Sequence, residues 1–225
     1  MPRTKLKDRK LPDYTRSEEV FNMVTHIVGG GFGVIALVGC VLMAAFYGNA
    51  ARIVGGAIYG ASMIMLYTMS SVYHGLKAPV AKRVMQVLDH CTIYLLIAGT
   101  YTPITLGPML DSNVALAWTV FGIEWGLAAL GITLTAIDLK QYSKFSMICY
   151  LGMGWMVVLS MIIEPLPFGG AAFGWLLAGG FAYTIGAVLY AVGKKVRYMH
   201  SVFHLFVLLG SILQFICIMF YCMKV

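Results

Sequence analysis

Seven apolar runs follow one another along the chain, at residues 20–45, 53–75, 86–109, 113–137, 143–163, 170–192 and 199–223, each long enough to cross a bilayer. A hydrocarbon core ~30 Å thick takes ~20 residues of helix, and inside it every backbone N–H and C=O must be satisfied by the protein itself. The runs therefore predict an all-α polytopic integral membrane protein, a seven-transmembrane-helix bundle. Composition agrees: 60% of the 225 residues are hydrophobic and 11% charged, where a soluble domain carries about a quarter charged. Residues 1–19 stand apart as a basic segment with no apolar core, so they are read as a head before the membrane domain of residues 20–225, with no cleavable signal peptide.

The net charge of +7 would suit a nucleic-acid binder, but the Lys and Arg sit in short blocks between apolar runs rather than along one face, which excludes nucleic acid as a partner. Fourteen of the 16 fall on one side of the helices: six in the head (Arg3, Lys5, Lys7, Arg9, Lys10, Arg16), then Lys77, Lys82, Arg83, Lys140, Lys144, Lys194, Lys195 and Arg197. Arg52 and Lys224 take the other side. By the positive-inside rule the N-terminus is cytoplasmic and the C-terminus outside. Pro103 predicts a kink in the third helix, Pro108 with Asp111 or Ser112 a tight turn into the fourth, and Pro165 with Pro167 a stop after the fifth. The five cysteines form no CxxC pair and read as small buried hydrophobes. Glycines at four-residue spacing, Gly29 and Gly33, Gly56 and Gly60, Gly122 and Gly126, predict close helix packing.

Ionisable residues inside a membrane are costly, so their placement carries the functional signal. All five histidines map to the cytoplasmic side. Ser70 and His74 lie four apart, hence on one face of the second helix, and His200 and His204 do the same on the seventh. Two imidazoles at that spacing can bind one ion. Asp89 and His90 open the third helix at a matching depth but point about 100° apart, so spacing leaves open which of them faces the centre. Three imidazoles with one open position suit a catalytic Zn2+, which lowers the pKa of a bound water; a carboxylate could act as base and a serine hydroxyl could steer the water or a substrate oxygen. A single histidine near a helix end is more often interfacial than a ligand, and His26 and His90 fit that description. Ser201 stands where an HExxH zincin has its Glu, so any base must come from another helix. Glu124, mid-helix with no basic residue at its depth, reads as structural, and Thr100, Tyr101, Thr102 and Gln214 read as interhelical hydrogen-bonding groups.

The blocks EEVFNMVTHIVGG (18–30), SSVYHGL (70–76), LDHCTIYLLIAGTYTP (88–103) and HSVFHLFVLLGS (200–211) closely resemble the bacterial hemolysin III family, which belongs with the progestin and adiponectin receptors. The resemblance runs along essentially the whole chain. It implies a zinc site in the cytoplasmic half of the bundle with His74, His200 and His204 as metal ligands and Asp89 and Ser70 as catalytic residues, choosing Asp89 over His90. It further implies a multi-pass protein of a bacterial cell membrane, partnered by membrane lipids and acting as a metal-dependent hydrolase of lipid-like amides or esters in membrane homeostasis. A non-enzymatic regulator with structural zinc and a cytolytic role are the alternative expectations.

Overall fold

The structure, a computed structural model, describes residues 3–165, 169–193 and 196–225. Pro167, expected at a helix stop, and Lys194 and Lys195, counted on the basic side, lie outside the described residues. The described chain is helical, with no strand. Its spans are α1 (Arg16–Tyr47), α2 (Ala50–Gly75), α3 (Pro79–Ser112), α4 (Val114–Ile137), α5 (Ser143–Gly154 with Met156–Ile163), α6 (Gly169–Gly193) and α7 (Met199–Cys222). Six are long and apolar enough to cross a membrane, and the two halves of α5, bent by 41°, make a seventh. Large apolar side chains such as Ile27, Val28, Ile35, Val38 and Phe46 are left exposed on α1, the surface a lipid-facing helix needs.

Local sequence sets the helix ends. Thr15 and Glu18 form a reciprocal capping box at the start of α1, and Asn49 caps α2 through the Arg52 amide. The turn from α3 to α4 departs from expectation, because the cap is Asn113, whose Oδ1 accepts from the Leu116 amide, rather than Asp111 or Ser112. Asp111 is engaged elsewhere, in an ion pair with Arg52. Helix α3 stays α-helical through Pro103 to Ile104, and the backbone leaves helical geometry at Gly107 (φ −107°, ψ −112°), the residue that Pro108 forces out of the α region. It also begins at Pro79, about two turns before the apolar run. In α5 the break at Trp155 frees backbone groups that Tyr101 satisfies, its hydroxyl donating to the Gly154 carbonyl at 3.0 Å and accepting from the Val157 amide at 2.8 Å.

Helix α3 is the central element, with 72% of its most apolar stretch buried against 28–50% for the other unbroken spans. The close packing expected of the glycine pairs divides. A Cβ on Gly60 would meet the Leu37 backbone at 2.4 Å and one on Gly33 the Ile64 amide at 3.1 Å, so α1 and α2 approach backbone to backbone. Gly122 and Gly126 face open space. Of the expected interhelical donors, Gln214 reaches the Leu176 carbonyl, Trp125 donates to Thr102, and Tyr101 joins α3 to α5, whereas Thr100 bonds only within its own helix. All five cysteines are buried and free, as expected.

The two ends of the bundle are closed differently. At the end carrying Lys224, Arg52 is 2% exposed, donates to the Cys222 carbonyl at 3.1 Å and pairs with Asp111, while the Val225 amide bonds the Tyr47 carbonyl. At the basic end, residues 3–15 run across the helix termini. Arg3 donates to the Ile137 carbonyl, the Thr4 amide to Asp138 Oδ2, and Arg83 to the Arg9 carbonyl.

Candidate metal centre

The basic end brings together three histidines from two helices. One ring nitrogen from each of His74, His200 and His204 lies within 4.8 Å of the other two, the single such His/Cys/Asp/Glu grouping among the described residues. The i, i+4 spacing on α7 turns both of its rings to one face, and His200 Nε2 and His204 Nε2 stand 3.0 Å apart. Two nitrogens on one tetrahedral zinc, each at ~2.0–2.1 Å, lie roughly 3.4 Å apart, so this pair is close to what an ion imposes. His74 comes in from the end of α2. Its Nδ1 is 2.6 Å from Glu19 Oε2, and its Nε2 has no partner on the protein. The three residues are 3%, 9% and 1% exposed, a depth at which unpaired imidazole nitrogens are costly. The donor set and its free nitrogen therefore fit zinc.

Ser70 lies one turn deeper than His74 on the same face of α2 and is buried. Asp89, at the start of α3, is not part of the three-histidine group; its carboxylate stands 3.7 Å from His90 Nδ1. His90 is likewise outside the three-histidine group, with Nδ1 at 2.8 Å from the Gln86 carbonyl and Nε2 at 3.3 Å from the hydroxyl of Tyr190, whose ring packs against His200 at 5.7 Å.

Several residues around the centre were not read from the sequence as part of it. His26 is 3% exposed and stacks on His204, ring centroids 3.8 Å apart at 22°, with the edge of Tyr67 against it. It is therefore a wall of the cluster rather than an interfacial residue. Tyr14, from the segment before α1, lies flat on His200 at 4.9 Å and 14°. Burial, then the neighbouring Tyr190, Glu19, Asp89 and Glu18, pushes its phenol well up, so it stays protonated. Glu19 bonds His74 and also pairs with Lys82 at 2.8 Å. The signal for the α1 residues is periodic: Glu19, Asn22 and His26 fall on one face of α1.

Comparison with known proteins agrees with this architecture. The model of the family described as "Haemolysin-III related" matches residues 14–215. The chain is 39% identical over 214 residues to the "Hemolysin-3 homolog" of Bacillus subtilis (strain 168), covering 94% of this chain and 98% of that protein. To "Hemolysin-3" of Bacillus cereus it is 38% identical over 206 residues, 91% of each. The human "Monocyte to macrophage differentiation factor" is 25% identical over 213 residues, 89% of this chain and 83% of that one. No solved structure matches. With the family model spanning most of its length and these relatives aligned nearly end to end, the chain belongs to the haemolysin-III related family of integral membrane proteins.

Proposed function

We propose that this protein is a zinc-dependent hydrolase of lipid-like amides or esters, working in a bacterial cell membrane with its N-terminus in the cytoplasm. The observation that carries the reading is the convergence of His74, His200 and His204, with a free nitrogen on His74, at the basic end of the bundle. Bound there, zinc would polarise a carbonyl and acidify water. The chain's own residues supply the rest. The Asp89 carboxylate takes and returns a proton as general base, and the Ser70 hydroxyl, on the His74 face of α2, donates a hydrogen bond to a substrate oxygen. Apolar side chains on the outer faces keep the acyl part of a substrate in the bilayer while the polar residues hold its headgroup at the basic end.

A second reading, structural zinc in a non-enzymatic membrane regulator, is favoured by Tyr14, whose ring covers His200. Cytolysis, the activity in the name of the Bacillus cereus relative, is the weakest of the three, since a chain that must seat seven apolar helices in its own membrane is a poor released toxin. Zinc content and turnover of ceramides, acyl amides and lysolipids, measured on one purified preparation, separate these readings. The hydrolase reading expects about one zinc per chain, lost on replacing any of the three histidines with Ala and kept in His90→Ala. It also expects turnover to fall roughly 100- to 10,000-fold in Asp89→Asn with zinc retained. Full zinc with no turnover of any of these lipids makes the protein the regulator.

A further inference from the structure

Glu19 is the residue that nothing above assigns and that the geometry uses most fully. Both of its carboxylate oxygens are committed: Oε2 stands 2.6 Å from His74 Nδ1, and Oε1 2.8 Å from Lys82 Nζ. Lys82 is itself held, donating to the carbonyls of Leu76 at 3.2 Å and His74 at 3.4 Å. The carboxylate is thus fixed at both ends and cannot turn without breaking an ion pair. An ionised carboxylate only accepts, so the proton between Glu19 and His74 sits on Nδ1, and the His74 lone pair is on Nε2. That nitrogen has no partner on the protein, and His74 belongs to the group with His200 and His204.

Metal-binding histidines generally give their second N–H to a carboxylate or carbonyl, which fixes the tautomer and the ring angle and raises the basicity of the binding nitrogen. Of the three histidines here, only His74 comes from outside α7. Its ring angle is therefore the one the i, i+4 spacing does not set. The adjacent Glu18 has a different task, since its Oε1 accepts from the Tyr198 amide at 2.7 Å and its Oε2 closes the α1 capping box. Neighbouring carboxylates thus divide between the scaffold and the site.

We infer that Glu19 is a positioning residue that holds His74 as the Nδ1–H tautomer with Nε2 turned to the metal. The inference rests on the zinc reading of the site. Metal-stripped protein in detergent micelles is titrated with Zn2+ against a chromophoric chelator, for the wild type and for Glu19→Ala, Glu19→Gln, Lys82→Met and His74→Ala. Glu19→Ala should bind zinc about 10- to 100-fold more weakly, and Glu19→Gln, whose amide oxygen still accepts from Nδ1–H, should recover at least part of that loss. Lys82→Met removes the same interhelical ion pair but leaves the His74 bond, so it should lower thermal stability while zinc affinity stays within about three-fold. Nitrogen-15 spectra of histidine-labelled, metal-free protein give a readout that needs no metal: His74 should be Nδ1–H in the wild type and a mixture of tautomers in Glu19→Ala.

Zinc affinity in Glu19→Ala within about three-fold of wild type, or an Nε2–H tautomer in the wild type, overturns the inference. So does a loss in Lys82→Met equal to that in Glu19→Ala, because the effect would then travel through packing. If Glu19→Ala does not fold, Glu19→Gln and the wild-type tautomer still decide. Wild-type protein that binds zinc no better than His74→Ala is a different outcome, which defeats the metal reading itself.

Discussion

One methyl group added at Gly60 and the same group added at Gly126 should act in opposite directions. A Cβ on Gly60 would stand 2.4 Å from Leu37 Cα, 2.5 Å from its Cβ and 2.8 Å from its backbone nitrogen. Ordinary carbon contacts lie at ~3.5–4.0 Å, so α1 and α2 must part by about 1 Å, and no rotamer change can absorb it because the opposing atoms are mostly backbone. A gap of that size forfeits a quarter to a half of each dispersion contact along the seam, and overpacking of this kind costs about 1–3 kcal/mol. Gly126 has nothing within 4 Å of the added carbon, so only the backbone term remains, favouring Ala by roughly 0.5–1 kcal/mol in a helix. Thermal unfolding in detergent micelles should show Gly60→Ala lowered by roughly 5–10 °C and Gly126→Ala unchanged or raised. Gly60 is 14 positions from His74, about 21 Å along α2, so the folded fraction of Gly60→Ala should keep its metal. Equal stability of the two variants would refute the α1–α2 seam, and loss of metal in folded Gly60→Ala would refute the separation of scaffold from site.

Tyr14→Ala should uncover His200 and let a water-soluble chelator strip zinc roughly 2- to 10-fold faster, the equivalent of one lost aromatic pair, with stoichiometry unchanged; an unchanged stripping rate would mean that Tyr14 does not cover the site. At the other anchor of the N-terminal segment, burial pushes the Asp138 carboxyl up but the amides of Thr4, Gln141 and Lys140 outweigh it, bringing it to about 2 from 3.8. A depressed carboxyl stabilises above its unfolded value and stops doing so as pH falls through its folded one. Protection of residues 3–10 from hydrogen exchange should therefore hold from neutrality down to about pH 4, then decline toward pH 2, and Asp138→Asn should be less protected at neutrality with that decline removed.

The seven spans are legible in the sequence because a bilayer allows few backbone solutions, and length with hydropathy then decides. What hydropathy hid is the start of α3. Lys82 and Arg83 look like loop residues, yet they lie on helix, with Glu19 and the Arg9 carbonyl taking up their charges. The glycine pairs show the same limit, since GxxxG at 56–60 and at 122–126 is one pattern in two environments and only packing tells them apart. At the site, Ser70 with His74 and His200 with His204 could be paired because each pair shares a helix face. Glu19 could not be linked to His74, 55 residues away, without the α1–α2 seam that brings them together.

Buried polar groups at the two ends of the bundle differ in whether they are satisfied, and that difference bears on what the basic end is for. Arg52 at the far end meets a carboxylate and a carbonyl. At the basic end, both ring nitrogens of His26, both side-chain atoms of Asn22, Ser201 Oγ, His204 Nδ1 and His74 Nε2 lack a partner on the protein. Glu124 is unpaired too, but alone at mid-helix, whereas these groups crowd one set of rings. A metal answers His74 Nε2 and leaves Asn22, which is fully buried one turn from His26, with no task in a purely structural site. An unpaired buried amide costs about 1–3 kcal/mol, so Asn22→Leu, close in size, should raise stability if zinc only ties helices together. If the polar wall serves water or a substrate headgroup, the same variant should also keep its zinc, because no ligand is touched, but lose turnover. Asn22→Leu protein with zinc and turnover both intact would remove the polar wall from the mechanism, and a variant that gave up its zinc would show Asn22 holding the histidines rather than the substrate.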